Sequence, residues 1–232
     1  MTALRIAIDG PSGSGKSTVA RRVAQELGLG YLDTGAMYRA ATWWALRENV
    51  NLDDPDAVLA ATQSMPLEIA LDPQAQRFVC GGEDITSAIR TSDLSKVVSK
   101  VAVNIPVRKE MLRRQRAIIE SQDSADSYSA GRGIVAEGRD ITTVVAPDAQ
   151  VRVLLTASEE ARLARRALEV RGSADATALA QTRDEVIRRD RDDSTVSEFM
   201  TAQDGVTTID SSNLGIDDVV SAVLQLVAEA RS

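Results

Sequence analysis

Residues 10–18, GPSGSGKST, follow directly on the apolar run LRIAID at positions 4–9, and their reading decides the fold. The run has the length and character of a buried strand ending in a Gly-rich turn. Beyond the turn, positions 18–27 carry a helical pattern in which Val19, Val23, Ala24 and Leu27 share a face, with Gly28 just past the end. The stretch itself reads Gly-x-x-x-x-Gly-Lys-Ser, the phosphate-binding loop pattern, in the strand-turn-helix context that pattern requires. Backbone N–H groups of such a loop and of the first helical turn make a nest for anions, aided by the positive end of the helix dipole. Gly10, Gly13 and Gly15 permit the unusual dihedrals and close approach, and Pro11, Ser12, Ser14 and Thr18 complete the cradle. Lys16 can reach the β- and γ-phosphates of ATP, and the Ser17 hydroxyl can ligate Mg²⁺. A chance Gly/Ser turn is the bland alternative, and the spacing and flanks argue against it. The dinucleotide spacing Gly-x-Gly-x-x-Gly fails here, and the Asn/Thr-Lys-x-Asp guanine reader occurs nowhere in the chain.

Composition narrows the chemistry further. At 232 residues the chain can hold one large α/β domain with an inserted part. It has no histidine, so no Ser-His-Asp or Cys-His nucleophile, His-ligated zinc or His general base can exist in it. The work falls to Lys, Arg, carboxylates, hydroxyls and a metal ion. Cys80 is the single cysteine, which forbids an intramolecular disulfide and points to a reducing compartment. Its place in RFVC suits a small strand residue better than a nucleophile.

The net charge is −7, yet only Lys16, Lys96, Lys100 and Lys109 are lysines and the other basic residues are arginines, the better fork for phosphate. Biased genomic composition would have the same effect. The acidic balance and seven aromatics speak against a nucleic-acid partner. No basic-then-apolar leader opens MTALRIAIDG, and no apolar run approaches the roughly 18 residues of a membrane span. A cytoplasmic protein with no membrane partner is expected.

The rest of the chain alternates strand and helix. A short strand around Tyr31-Leu32 precedes a helix from Ala36 to Glu48, whose Met37, Ala40, Ala41, Trp44 and Ala45 share a core face. LEIALD and RFVCGGEDI, within 67–85, read as a two-stranded hairpin and so as part of a small insert. Helices are expected over 92–104 and from Pro106 through 121, a favoured first position for proline. The Ser/Asp/Gly-rich run that follows should be a solvated loop. Strands IVAEG (134–138) and VRVLLT (151–156), an Arg-rich helix opened by Ser158, strand VTTID (206–210) and an amphipathic helix over 216–228 complete the pattern. The fold class is therefore α/β, a parallel sheet with helices on both faces.

What accepts the phosphoryl group must be found outside the loop. An alcohol acceptor usually needs a carboxylate to take its proton. A phosphate acceptor needs none, because its second pKa is about 6. The site must instead hold two anionic groups together, and that requires arginines from several segments. Candidates are Arg39, Arg139 and the cluster Arg162, Arg165, Arg166, Arg183, Arg188, Arg189 and Arg191. Some of these belong to a salt-bridged face with Glu159, Glu160, Glu169 and Glu185. The clustering between the last two strands also suits a mobile lid, about 165–192.

In order, GPSGSGKST, LDTGAMYRA, EDITSAIRT, VRKEMLRRQR, EGRDITTVV and RRDRDDST resemble the bacterial cytidylate kinases over nearly the whole length. LD[ST]GAxYR and GRDxxTVV are much more specific than the phosphate loop. The resemblance implies the nucleoside monophosphate kinase fold: a core of about 1–35, 132–160 and 204–232, an acceptor-binding insert of about 36–125, and a short Arg-rich lid. It implies that Thr34, Arg39 and Arg139 hold the phosphate of CMP or dCMP, and that Ser99, Arg108 and Asp140 read the base. Arg189 and Asp193 would meet the acceptor's sugar and phosphate, and Arg162 would serve ATP. Lys16, Arg139 and Arg189 would stabilise the transferring group, with Mg²⁺ on Ser17 as cofactor.

The base assignment makes chemical sense, since a carboxylate accepts from the cytosine amino group while uracil offers a carbonyl there. Capping of a turn by Asp140 and a solvated place for Arg108 are the structural alternatives. The segment after Asp193 departs from the family. Asp193-Ser194-Thr195-Val196 lacks the arginine the family writes, and SEFMT replaces its Pro-Leu continuation. Arg188 or Arg191 is left to substitute, or acceptor binding is weaker. A monomer is expected. Two rivals stand beside this reading, a hydroxyl-acceptor kinase of similar fold and a regulatory module that binds nucleotide without turnover.

Overall fold

The computed structural model describes residues 3–232, apart from the side chains of Val170, Arg171, Gln181, Asp184, Glu185 and Arg189. Strand β1 (Leu4–Asp9) runs into the glycine loop and α1 (Lys16–Leu27), and then β2 (Gly30–Asp33) leads into α2 (Thr34–Arg47). The insert contains α3 (Pro55–Ser64), β3 (Leu67–Ala70), β4 (Arg77–Cys80), β5 (Glu83–Asp84), α4 (Ser92–Ala102) and α5 (Ile105–Ser121). The core resumes with β6 (Gly133–Gly138) and β7 (Val151–Thr156), followed by α6 (Glu159–Arg171) and α7 (Ala176–Ser194). Strand β8 (Thr207–Asp210) and α8 (Ile216–Arg231) close the chain.

The main sheet has the order β2-β6-β1-β7-β8, and each of its pairings is parallel. Because β1 lies between strands reached in opposite directions, its carboxyl end opens a crevice, the usual ligand position in such sheets. The side-chain alternation of β1 divides the core. Leu4, Ile6 and Ile8 join Val19, Val23, Val219 and Val223 of α1 and α8 on one face. Ala7, with Leu32 of β2 and Ala136 of β6, meets α2, α3 and α5 on the other. Both faces are dry, so the strands read as apolar runs.

Several local readings change. The expected hairpin is a three-stranded antiparallel sheet, β3-β4-β5, whose last strand is only two residues long. Helix α3 was not expected, although its start carries the usual signals: Asp54 Oδ1 accepts from Asp56 and Ala57 N–H at 3.1 Å, and Pro55 stands at the first turn. A π-helical turn, Ile141–Val145, follows β6 where no element was read. The Arg-rich region is two helices, broken at Gly172 with φ 70°. The loop after α5 is not wholly solvated: Ser129 is fully buried and its Oγ donates to Gln122 O at 3.2 Å. Cys80 is likewise fully buried in β4, and burial pushes its thiol up to about 11, which leaves it a core residue. Among the described residues, no helix is long and apolar enough to cross a membrane.

Candidate active site

At the carboxyl ends of β1, β2 and β6 lies a cleft of about 230 Å³. The glycine loop forms one wall, and Ser12, Gly13, Gly15, Lys16, Ser17 and Thr18 line it. Gly10, Pro11 and Ser14 are buried behind these residues. Gly13 has φ 79°, and a Cβ there would lie 2.4 Å from Arg162 O, so the loop must be glycine where it passes over α6. Lys16 Nζ donates to Pro11 O at 3.4 Å, folding back over the loop.

The residue that sequence reasoning passed over is Glu137. In register with Ile8 across the sheet, it ends β6 beside the loop and is only 2% exposed. Its Oε1 accepts from Ser17 Oγ at 2.7 Å and from Tyr31 OH at 3.2 Å. Burial, with the nearby charge of Asp33, pushes its carboxyl up to about 7, while Lys16 pulls the other way. A readable signal existed, namely an acidic residue at the end of an apolar strand, IVAEG, that had to pack beside the loop.

The facing wall is built from separate elements. Asp33 caps α2 by accepting from Ala36 N–H at 2.9 Å, and that orients the helix so that Thr34, Tyr38 and Arg39 line the cleft. Thr34 Oγ1 donates to Glu137 O at 2.8 Å, which ties this wall to β6. Arg39, buried, donates from Nη1 to Ser95 Oγ at 2.7 Å and to Ile89 O at 3.3 Å. Arg108 of α5 pairs with Asp140, the residue before the π-helical turn. That turn is held by Asp9, whose carboxylate accepts from Ile141 and Thr142 N–H at 2.9 and 2.8 Å and from Thr142 Oγ1 at 2.6 Å. Burial pushes Asp9 up to about 6 against those donors. Asp140 is also raised, by burial first and by the charge of Asp193, with Arg108 opposing.

The C-terminal part of α7 closes the site. Arg139 Nε lies 2.7 Å from Asp193 Oδ2, and Arg139 Nη1 lies 2.9 Å from Asp190 Oδ1 at an angle that makes an ion pair without a hydrogen bond. Asp190 also pairs with Arg162 and accepts from Ser12 N–H at 3.1 Å. Although burial raises it, the Arg139 guanidinium, the Ser12 amide and Arg162 hold this carboxyl below its usual range. Three groups suited to phosphate oxygens thus converge on one carboxylate of α7.

Thr34, Arg39, Arg108, Arg139, Asp140 and Asp193 therefore line the same cleft as the glycine loop. Ser99 does not, for its neighbours Val98 and Ala102 on α4 do so instead. Arg162 lies behind the loop, with Nη1 3.0 Å from Ser12 O. Arg189 is on α7, and its side chain lies outside the described residues. The Arg191 side chain is 77% exposed and, among the described residues, pairs only with Asp192, at 3.9 Å, away from the cleft lining. Arg188 lines a small adjoining pocket with Ser12, Lys96 and Arg166. Arg166, one of the candidate cluster, also reaches the main cleft, as do Arg21 and Arg90, whose signal was masked by the many arginines of ordinary helix surfaces.

A glycine loop at a switch point, facing a cation-rich second pocket in the same cleft, defines a P-loop phosphotransferase that brings two anionic substrates together. The family model for cytidylate kinase matches residues 6–229. The chain is 47% identical to the cytidylate kinase of Cutibacterium acnes, over 97% of this chain and 96% of the relative. It is 46% identical to that of Rhodococcus opacus strain B4, with coverage of 98% and 96%. For the cytidylate kinase of a Geobacillus strain the identity is 40%, over 97% of each chain. The chain belongs to the cytidylate kinase family.

Proposed function

We propose that this enzyme transfers the γ-phosphoryl group of ATP to the 5′-phosphate of CMP and dCMP, giving ADP and the corresponding diphosphate. A single observation carries the reading: Lys16 and its loop share one cleft with Arg39, Arg108, Arg139 and Asp140. The loop amides and Lys16 hold the triphosphate, and Thr34, Arg39 and Arg139 hold the acceptor phosphate. That acceptor is already anionic near neutrality, so the cleft needs cations and no general base. Arg108 and Asp140 take the base edge, with Asp140 accepting from the cytosine amino group. Uracil would place a carbonyl against that carboxylate.

Mg²⁺ fits the loop end of the cleft. The Ser17 hydroxyl and the Glu137 carboxylate offer hard oxygen donors only 2.7 Å apart, and Mg²⁺ on triphosphates usually takes one or two protein ligands with phosphate and water. The ion would neutralise charge that develops between the β- and γ-phosphates. Glu137, directly or through water, and Ser17 would hold it. Closure of α6 and α7 over the loop would exclude water and suppress hydrolysis of ATP.

A coupled ADP-release assay with CMP, dCMP, UMP, AMP or no acceptor tests this reading. CMP and dCMP should outpace UMP and AMP, and Asp140→Asn should shrink the CMP-over-UMP preference about tenfold or more. Turnover of CMP no faster than of UMP and AMP would refute the base assignment. Binding of ATP with no product from any monophosphate would favour a regulatory module.

A further inference from the structure

The segment after α7 departs from the family pattern, and it returns into the acceptor cleft. Ser197 lines that cleft, and its Oγ accepts from Arg108 Nη2 at 2.8 Å. The same Nη2 pairs with Asp140, while Nη1 donates to Ala102 O at 3.2 Å. The ring of Tyr38 lies 6.0 Å from the guanidinium carbon. Both Nη2 protons of Arg108 are therefore engaged, one by Asp140 and one by Ser197. A planar fork tied at three points keeps one orientation, whereas one tied at two can pivot. Two residues on, Phe199 is 1% exposed and its ring lies 4.2 Å from the guanidinium of Arg139, so the segment abuts two of the cleft arginines, Arg108 and Arg139. The hydroxyl that the family resemblance places at the base, Ser99, is not among the cleft-lining residues, and Ser197 is.

We propose that Ser197 is a positioning and specificity-determining residue of the acceptor pocket. It fixes the fork of Arg108 toward the base edge of the pyrimidine nucleotide. Ser197 Oγ makes no other hydrogen bond among the described residues, so its own proton is available to an acceptor atom on that edge. This rests on the reading of Arg108 and Asp140 as the base-recognition pair.

Steady-state kinetics of the wild type, Ser197→Ala and Ser197→Thr test it, with CMP and UMP varied at saturating ATP and ATP varied at saturating CMP. Ser197 is only partly buried, so the alanine variant should fold. Losing one hydrogen bond to a charged group should raise KM for CMP about five- to tenfold. The kcat should stay within about twofold and KM for ATP should not move, while Ser197→Thr restores KM for CMP. An unchanged KM for CMP in Ser197→Ala, a matching rise in KM for ATP, or no rescue by threonine overturns the proposal. If the wild type itself shows no CMP preference, the base-recognition reading fails and takes this proposal with it. If the preference is present and Ser197→Ala keeps it along with its KM, only the proposal falls.

Discussion

The two walls of the cleft are built on different principles. The donor wall is one continuous stretch, residues 10–18, whose work is done by backbone amides, two glycines at positive φ and a single lysine. The acceptor wall is assembled from α2, α5, the end of β6 and the C-terminal part of α7, and its work is done by side chains. Backbone amides stay where the strand-turn-helix geometry puts them. Guanidinium groups must be held: Asp140 pairs with Arg108, Asp193 and Asp190 pair with Arg139, and Ser95 Oγ and Ile89 O accept from Arg39. The donor wall is thus preorganised by its own backbone, whereas the acceptor wall is held by side chains from several elements, Asp140 after β6 and Asp190 and Asp193 of α7 among them.

The largest expected effect lies on the donor side. Lys16→Ala should lower kcat by about a thousandfold or more if, as proposed, Lys16 supplies the charge that meets the transferring group. Its circular dichroism and Tm should stay at wild-type values. An unfolded or fully active variant would break the contrast, since Lys16 would then be structural or idle.

Glu137→Gln sits at the seam between the walls. Its kcat should fall about a hundredfold if Glu137 helps to hold Mg²⁺, and added Mg²⁺ should not restore it. Its stability should move the other way. The folded-state value of about 7 lies above the ordinary 4.5, so the native state holds this proton more tightly than the unfolded chain does. The favourable contribution is complete below 4.5 and is lost as pH rises through 7. Glutamine has no such loss, so in Mg²⁺-free melts the variant should gain on the wild type between pH 5 and 8, by on the order of 3 kcal/mol. Parallel pH profiles for the two proteins would show that the carboxylate is not strained by burial.

Asp190→Asn sharpens the acceptor side and has the smallest effect. Asparagine keeps one acceptor oxygen but removes the charge shared by Arg139 and Arg162, which should lower Tm by about 3–6 °C at pH 7. Asp190 titrates below its ordinary 3.8 in the fold, so its stabilisation is present above that value and disappears as pH falls beneath it. The Tm gap between variant and wild type should therefore close in melts taken toward pH 3. A gap that persists there would mean that shape, not charge, holds the lid.

Much of the donor wall was legible in the sequence. The pattern Gly10 to Ser17 depends on spacing within eight residues, and LRIAID before it and Val19 and Val23 after it dictate strand and helix locally. Thr34 and Arg39 were legible through the LD[ST]GAxYR resemblance, but the helix that carries both starts at Thr34, two residues before the expected Ala36, where Asp33 caps it. Glu137 was missed because its role depends on β6 lying next to β1, a pairing of strands more than a hundred residues apart. Helix α3 was missed although Asp54 and Pro55 announce it, because the run after them is short and mostly small residues. The third strand of the small sheet was missed because two residues carry no periodicity.

The sequence by itself determined the alternation of most strands and helices along the chain, the phosphate loop, the family and the absence of any histidine chemistry. Local spacing and residue type are sufficient for those, because backbone geometry over a dozen residues is governed by neighbours in sequence. Only the tertiary structure decided which of the many arginines face the cleft, that Ser197 rather than Ser99 reaches it, and that Asp190 gathers Arg139, Arg162 and the loop amide of Ser12. Whether a charged side chain is a surface decoration or a site residue depends on what it is desolvated against. That is set by elements brought together from distant parts of the chain.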